Sequence, residues 1–352
     1  MAEAGLWPSV VAGLYGIPLA ADGGEGQCVG IIALGGGYLL SDLTTVLAEM
    51  GRPVPTVVEQ SVAGVVSHHP SGNKADQELA LDLQVLAAVV PAARIVVYFA
   101  PNQQRGVVEA VQQAVRDDVN RPQVLSLSWG SAEHYWPPAV RDAMETALAE
   151  AVQRRVTVVA ASGDLLATAG EIDGKAHVQY PASSPYVLGC GGTRVTVPPD
   201  AFAEAVWNNG VMGSGGGISD VFPVPEYQAG VALPPSVNDG GRRRGVPDVC
   251  AAAAEVPGYR TIVAGAVHVQ PGTSAATPLW AGLITLANAA RGQPVGLVHP
   301  LMYANPAVFR PVTAGHNRIG GIGYDAGPGW NACTGLGSPR GSDVIAALSA
   351  VA

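Results

Sequence analysis

One serine stands in "PGTSAATP" (271–278), between a threonine and two alanines. The run behind it, "LWAGLITLANAA", predicts a helix, which sets Ser274 at a helix mouth. Unpaired N–H groups and the positive end of the helix dipole favour a developing anion there. Ser274 is therefore either a nucleophile or a helix-capping serine. The choice depends on whether the chain also supplies a base and an oxyanion donor.

Two other segments offer carboxyl groups for those tasks. In "ADQELALDLQVLAAVV" (75–90), Leu79, Leu83, Leu86 and Val90 form an apolar stripe, and Glu78 and Asp82 lie four apart on one face. On an exposed helix such a pair is an ordinary solvated acidic face. If partly buried, the two would share a proton and one would titrate high, as a general base working in acid requires. Asp164 closes the apolar run "VTVVAASGD" (156–164). It is either a loop aspartate capping the next segment or, if protonated and facing Ser274, a donor to a tetrahedral oxyanion. Both roles hold together only if Asp164 titrates above Glu78. Histidine is the usual base for a serine, and seven are present: 68, 69, 134, 177, 268, 299 and 316. None stands at a suitable helix start. His68 and His69, in a loop-like stretch, are the alternative for a histidine-based triad.

These residues need a scaffold. Apolar runs predict strands over 28–36, 94–101, 123–130 and 156–164, with further strands near 186–197 and 259–269. Helical patterns occupy 41–51, with Ser41 as cap and Gly51 as stop, then 75–90, 105–118 and 138–155. A long helix follows Ser274, and a last one follows Gly341. Such alternation predicts an α/β fold, a doubly wound and mostly parallel sheet in a single domain over 1–352. Ligands in such sheets lie beyond the carboxyl ends of the strands. "SLSWG" and "AASGD" end there, so three segments can converge on Ser274.

Of 352 residues, 48% are hydrophobic and 13% charged, which permits a large core and argues against disorder. The net charge is −9 and the one basic run is "RRR" at 242–244, so nucleic acid is not an expected partner. No uninterrupted apolar stretch reaches membrane-spanning length. The four cysteines form no CxxC pair, and Cys28, Cys190 and Cys250 are expected to be buried thiols rather than zinc ligands. The N-terminal "MAEAGLWPSVV" has no basic n-region or clean apolar h-region, so no signal peptide is expected.

Taken together, "ELALD", "SLSWG", "AASGD" and "GTSAATP" resemble, in order, the motifs of the sedolisins, serine-carboxyl peptidases with a subtilisin-like fold. The likeness continues through "GQCVGIIALGGGY", "YPASSPYVLGCGGT" and "AGPGWNACTGLGSP". The subtilisin histidine motif is missing, and "ASGD" stands where subtilisins read "ASGN". The resemblance implies an endopeptidase favoured at acidic pH, acting on a peptide or protein substrate; a monomer is expected, with no cofactor apart from the family calcium considered below. It implies Ser274 as nucleophile, Glu78 as base, and Asp82 orienting Glu78 through a hydrogen bond. Protonated Asp164 would form the oxyanion hole with the Ser274 N–H. Ser128, Trp129 and Gly130 would pair with the substrate backbone, facing Ser214, Gly215 and Gly216, with Trp129 also walling the Glu78 network. Gln179 stands in "HVQYPA", where relatives preferring basic side chains carry an aspartate.

Three departures from the family alter what is carried over. Ala33 replaces a glutamate linked to the acidic pair, which is expected to lower Glu78. The family's calcium position falls on Pro311, Val312, Gly327, Gly329 and Asn331, where both ligating carboxylates are gone. Calcium is therefore expected to be lost, with Asp325 the one nearby substitute and Trp330 as packing. The chain also begins where the family's mature enzyme begins, without a prodomain. A trimmed mature form would be extracellular; a full-length chain would be cytoplasmic. Two other functions stay open: a specialised peptide-processing or acyl-transfer enzyme, and a peptide-binding pseudoenzyme.

Overall fold

The structure, a computed structural model, describes residues 5–197 and 202–350. Its centre is a parallel sheet built from β1 (Cys28–Ala33), β2 (Thr56–Ser61), β3 (Arg94–Phe99), β4 (Val124–Leu127), β5 (Thr157–Ala161), β6 (Val187–Thr196) and β8 (Val249–Ala252). The spatial order is β8-β6-β5-β4-β1-β3-β2, and β7 (Ala203–Val206) pairs antiparallel with β6. Side chains alternate along β1: Val29, Ile31 and Ala33 enter one core, and Cys28 and Ile32 the other. Burial on both faces explains the unbroken apolar runs of the central strands.

Helices cover both faces. On one, α3 (Lys74–Val89) packs against α6 (Thr273–Arg291), and α6 lies across β4, β5, β6 and β8. On the other, α4 (Gln104–Val115) packs against α5 (Pro138–Gln153). Gly282 lets α3 and α6 approach closely, since a Cβ there would stand 2.7 Å from Val89 Cγ1. This contact brings the acidic face of α3 toward the start of α6.

Several expectations need adjusting. The helix predicted from Ser41 is α2 (Leu40–Glu49); Ser41 lies in its first turn, and the cap position is Leu39, with no side-chain cap. Gly51 does follow the helix end with a left-handed φ of 63°. The strand predicted over 259–269 is an antiparallel hairpin, β9 (Tyr259–Val263) and β10 (Ala266–Gln270), turned by Ala264 and Gly265 at φ 50° and 78°. All four cysteines are free and buried, including Cys333. No helix among the described residues is long and apolar enough to cross a membrane.

Candidate active site

The acidic face comes from a firmly anchored helix. Asn73 caps α3, accepting from the N–H groups of Ala75 at 2.8 Å and Asp76 at 3.0 Å. Asp76 completes the box and also accepts from the N–H groups of Ser71 at 2.7 Å and Gly37 at 2.8 Å. Burial works to raise Asp76, but those N–H donors hold it below the ordinary carboxylate range. His68 Nε2 lies 3.3 Å from this same carboxylate, and His69 Nδ1 lies 3.2 Å from the Pro70 carbonyl. Both are thereby engaged away from Ser274, so the histidine-based triad has no geometric support.

One turn further along α3 are Glu78 and Asp82. Asp82 is buried and accepts a 2.7 Å hydrogen bond from Ser128 Oγ, at the end of β4. Burial raises Asp82 well above the ordinary range, and the charge of Glu78 adds to this. Asp82 is thus held by Ser128 and lies close enough to Glu78 for the two charges to act on each other. Glu78 is also raised, first by burial and then by the charge of Asp164, against the favourable hydroxyls of Ser274 and Ser128. Its Oε1 is closed to solvent and forms no hydrogen bond of ordinary geometry. Ala33, expected to lower Glu78, is outweighed by this burial: it lies in the same apolar core as Leu79 and Leu83.

Ser274 lies in the first turn of α6, 6% exposed, and the cap position is Gly272. It is therefore not the cap. Gly272 has φ 135°, a conformation that favours glycine. Nothing among the described residues accepts the Ser274 N–H. Pro278, four residues on, has no N–H to give the Ser274 carbonyl, and Ser128 Oγ stands 3.4 Å from that carbonyl instead.

Asp164, just past β5, completes the group. Its Oδ1 accepts from the Thr273 N–H at 2.7 Å and the Thr273 hydroxyl at 2.8 Å. Burial raises it, and both Thr273 donors oppose the rise. The charge of an ionised Asp164 raises Glu78 in turn, so the two carboxyls titrate as a linked pair. None of the ion pairs among the described residues includes Glu78, Asp82 or Asp164. Three buried carboxyls without a cation favour shared protons over full ionisation.

The cleft residues divide. Gly130 is exposed, Trp129 is half-buried against the core under α4 and α5, and Ser128 points its hydroxyl into the acidic group. The Gln179 side chain lies against Gly163, where a Cβ would meet its Cδ at 2.5 Å. Ser214, Gly215 and Gly216, expected to face the Ser128–Gly130 edge, are all buried. The Ser214 hydroxyl donates to the Cys333 carbonyl at 2.8 Å, and the Gly215 N–H donates to the Gly163 carbonyl at 2.8 Å. They buttress the Asp164 loop from behind.

This constellation, with acidic groups where a histidine would stand, agrees with what the chain is similar to. A profile of the Subtilase family matches residues 60–302. The structure superposes on Pseudomonas sedolisin, a serine-carboxyl proteinase, with a TM-score of 0.83, 28% identity and 98% of both chains covered. The chain belongs to the sedolisin family. Within it, the chain is 45% identical over 350 residues to kumamolisin of a Bacillus species, covering 97% of this chain and 63% of that protein. It is 32% identical over 308 residues to human tripeptidyl-peptidase 1, covering 80% of this chain and 53% of that one. The chain thus spans between 53% and 63% of the length of these curated relatives.

The residues at the sedolisin calcium position do not fit a cation. Asn331 turns its amide nitrogen toward the carbonyls of Val312 at 3.1 Å and Gly327 at 3.4 Å. Its Oδ1 accepts from the N–H groups of Cys333 at 3.1 Å and Thr334 at 3.0 Å. Pro311 offers no side-chain oxygen. Asp325 is paired with Arg318, and Trp330 donates to the Pro247 carbonyl at 3.0 Å. Gly329 is left as a turn glycine at φ 73°.

Proposed function

We propose that this chain is a serine-carboxyl endopeptidase. The observation that carries the proposal is the gathering of Glu78, Asp82 and Asp164 around Ser274, whose N–H is free, with no cation or histidine among them. Glu78 accepts the Ser274 proton as the hydroxyl attacks the scissile carbonyl. The tetrahedral oxygen takes hydrogen bonds from the Ser274 N–H and from protonated Asp164. Glu78 then returns the proton to the leaving amine, and water repeats the sequence on the acyl-enzyme. Asp82, held by Ser128, keeps a proton close to Glu78 and supports its orientation.

The linked titration of Glu78 and Asp164 is compatible with this scheme. Glu78 ionised with Asp164 protonated has the same number of protons as the reverse arrangement. The two are tautomers, and their ratio does not depend on pH. Activity therefore follows a bell between two apparent pKa values. On the alkaline limb kcat/KM should fall by about tenfold per pH unit, as loss of one proton requires. Asp164→Asn should abolish that limb, because an amide donates at any pH. A profile of kcat/KM against pH on one fluorogenic peptide checks both. An alkaline limb that survives in Asp164→Asn would remove the protonated aspartate from the mechanism.

We further propose that the enzyme works without calcium, because the Asn331 amide bridges the carbonyls that a cation would join. EDTA should leave the melting temperature unchanged. Asn331→Asp, which places a carboxylate against the Val312 and Gly327 carbonyls, should cost about 1–3 kcal/mol in EDTA, with part regained when Ca²⁺ is added. Thermal melts in EDTA and in Ca²⁺ read both effects. A wild-type melting temperature that drops with EDTA would show that a cation is needed after all.

A further inference from the structure

We propose that Thr273 is a positioning residue that decides which oxygen of Asp164 carries its proton. The inference rests on the serine-carboxyl reading above and specifies its oxyanion donor. Thr273 has three polar groups, and two of them meet at one atom. The backbone N–H donates to Asp164 Oδ1 at 2.7 Å, and the hydroxyl lies 2.8 Å from the same oxygen. The hydroxyl's direction is set from behind: Thr273 Oγ1 accepts the Gly163 N–H at 3.1 Å, so its single hydrogen is free to point at Oδ1. An oxygen receiving two N–H or O–H donors cannot also hold a proton without opposing one of them. The carboxyl proton is therefore placed on Oδ2.

Oδ2 faces the reacting side. No donor among the described residues reaches it. A methyl group placed on Gly272 would lie 3.1 Å from Oδ2, 3.6 Å from Ser274 Cβ and 3.7 Å from Ser274 N. Oδ2 and the Ser274 N–H thus border the same space, where an oxyanion needs two donors. The absence of a side chain at Gly272 keeps that space open. The elements around Asp164 bring few charges. Glu78 on α3 is the titratable group that senses its charge. Gly213 donates its N–H to the Asp164 carbonyl, Gly272 borders Oδ2, and the neutral Gln179 lies against the preceding Gly163.

Deleting the hydroxyl has a signature that simple loosening of the loop would not produce. The hydroxyl favours ionised Asp164, so Thr273→Val should raise the aspartate's pKa and move one limb of the bell to higher pH. With the carboxyl less well oriented, kcat should fall about tenfold while KM stays within about twofold. Affinity for a peptide aldehyde, whose adduct forms the oxyanion, should fall by about the same factor as kcat. Thr273→Ser, which restores the hydroxyl, should recover all three values. The experiment compares wild type, Thr273→Val and Thr273→Ser on one peptide and one aldehyde over pH 3–8, with melting temperatures to confirm folding. A loss of kcat with the bell unmoved, a loss carried by KM, or no rescue by serine would each overturn the positioning role. Asp164→Asn in the same series separates the two levels. If it abolishes the alkaline limb while Thr273→Val leaves the bell in place, only the role of Thr273 falls. If it leaves the limb intact, the oxyanion reading falls with it.

Discussion

Ser274→Ala should reduce kcat by about 10⁴- to 10⁶-fold, the scale seen when a serine nucleophile that works as part of a unit is removed. The fold should survive. Ser274 lies in the first turn of a helix capped at Gly272, and alanine is a better helix former than serine. Its backbone N–H remains, so substrate binding should change little and the loss should fall on kcat. Losing the hydroxyl also removes a partner that favours ionised Glu78, so Glu78 should hold its proton to higher pH in the variant. Turnover of a fluorogenic peptide, with circular dichroism as a control, measures this. Activity within about tenfold of wild type would return Ser274 to a structural role.

The second large effect concerns stability. Arg244→Met should cost about 3–5 kcal/mol, as removing one partner of a buried ion pair does. Arg244 is fully buried and forks onto Asp248, with Nη1 2.8 Å from Oδ1 and Nη2 2.6 Å from Oδ2. Asp248 also accepts from the Gly189 N–H at 2.8 Å and the Tyr303 hydroxyl at 2.7 Å, and His299 Nε2 lies 3.4 Å away. One carboxylate thereby joins β6, the segment entering β8, and α7 (His299–Ala304). Burial works to raise Asp248, but Arg244 and then His299 hold it far below the ordinary range. A depressed aspartate stabilises the fold above its unfolded pKa of about 3.9, and that contribution fades as pH falls through the lower folded value. The pair thus keeps working through most of the acidic range in which the active site is proposed to operate. Urea unfolding at pH 5 and pH 7 measures the loss. A cost below about 1 kcal/mol at both would mean that the remaining partners satisfy Asp248 without Arg244.

The parts of this structure legible in the sequence are those with local signals. β1, β3, β4 and β5 are predominantly apolar runs, and α3 through α6 carry helical periodicity. "TVVEQS", the half-exposed edge strand β2, has mixed polarity and no such signal. The hairpin β9–β10 reads as one strand because its turn contains Ala264, an ordinary residue at an unusual φ. Glu78, Asp82, Asp164 and Ser274 were legible as candidates, and the fold brings them together. Ser128 was assigned to the substrate edge, since no local pattern reveals that its hydroxyl turns back to Asp82. Thr273 carries no signal of its own beyond its place one residue before Ser274. Nothing in the run "RRR" at 242–244 marks one of its members as core, yet Arg244 is fully buried. Its partner Asp248 is four residues away in irregular chain, where spacing carries no geometric meaning.

The Asn331 amide has a consequence that goes beyond the loop it joins. A bound ion obeys mass action: its occupancy, and the stability it lends, follow its concentration in the surroundings. Asn331 is covalently attached beside its partners, so its effective concentration is set by the chain and cannot be diluted away. Val312, Gly327 and the turn at Cys333 and Thr334 are held through one side chain whose occupancy no chelator, storage buffer or change of compartment can alter. What is given up is adjustability: the tightness of this corner cannot be tuned by a change in the medium.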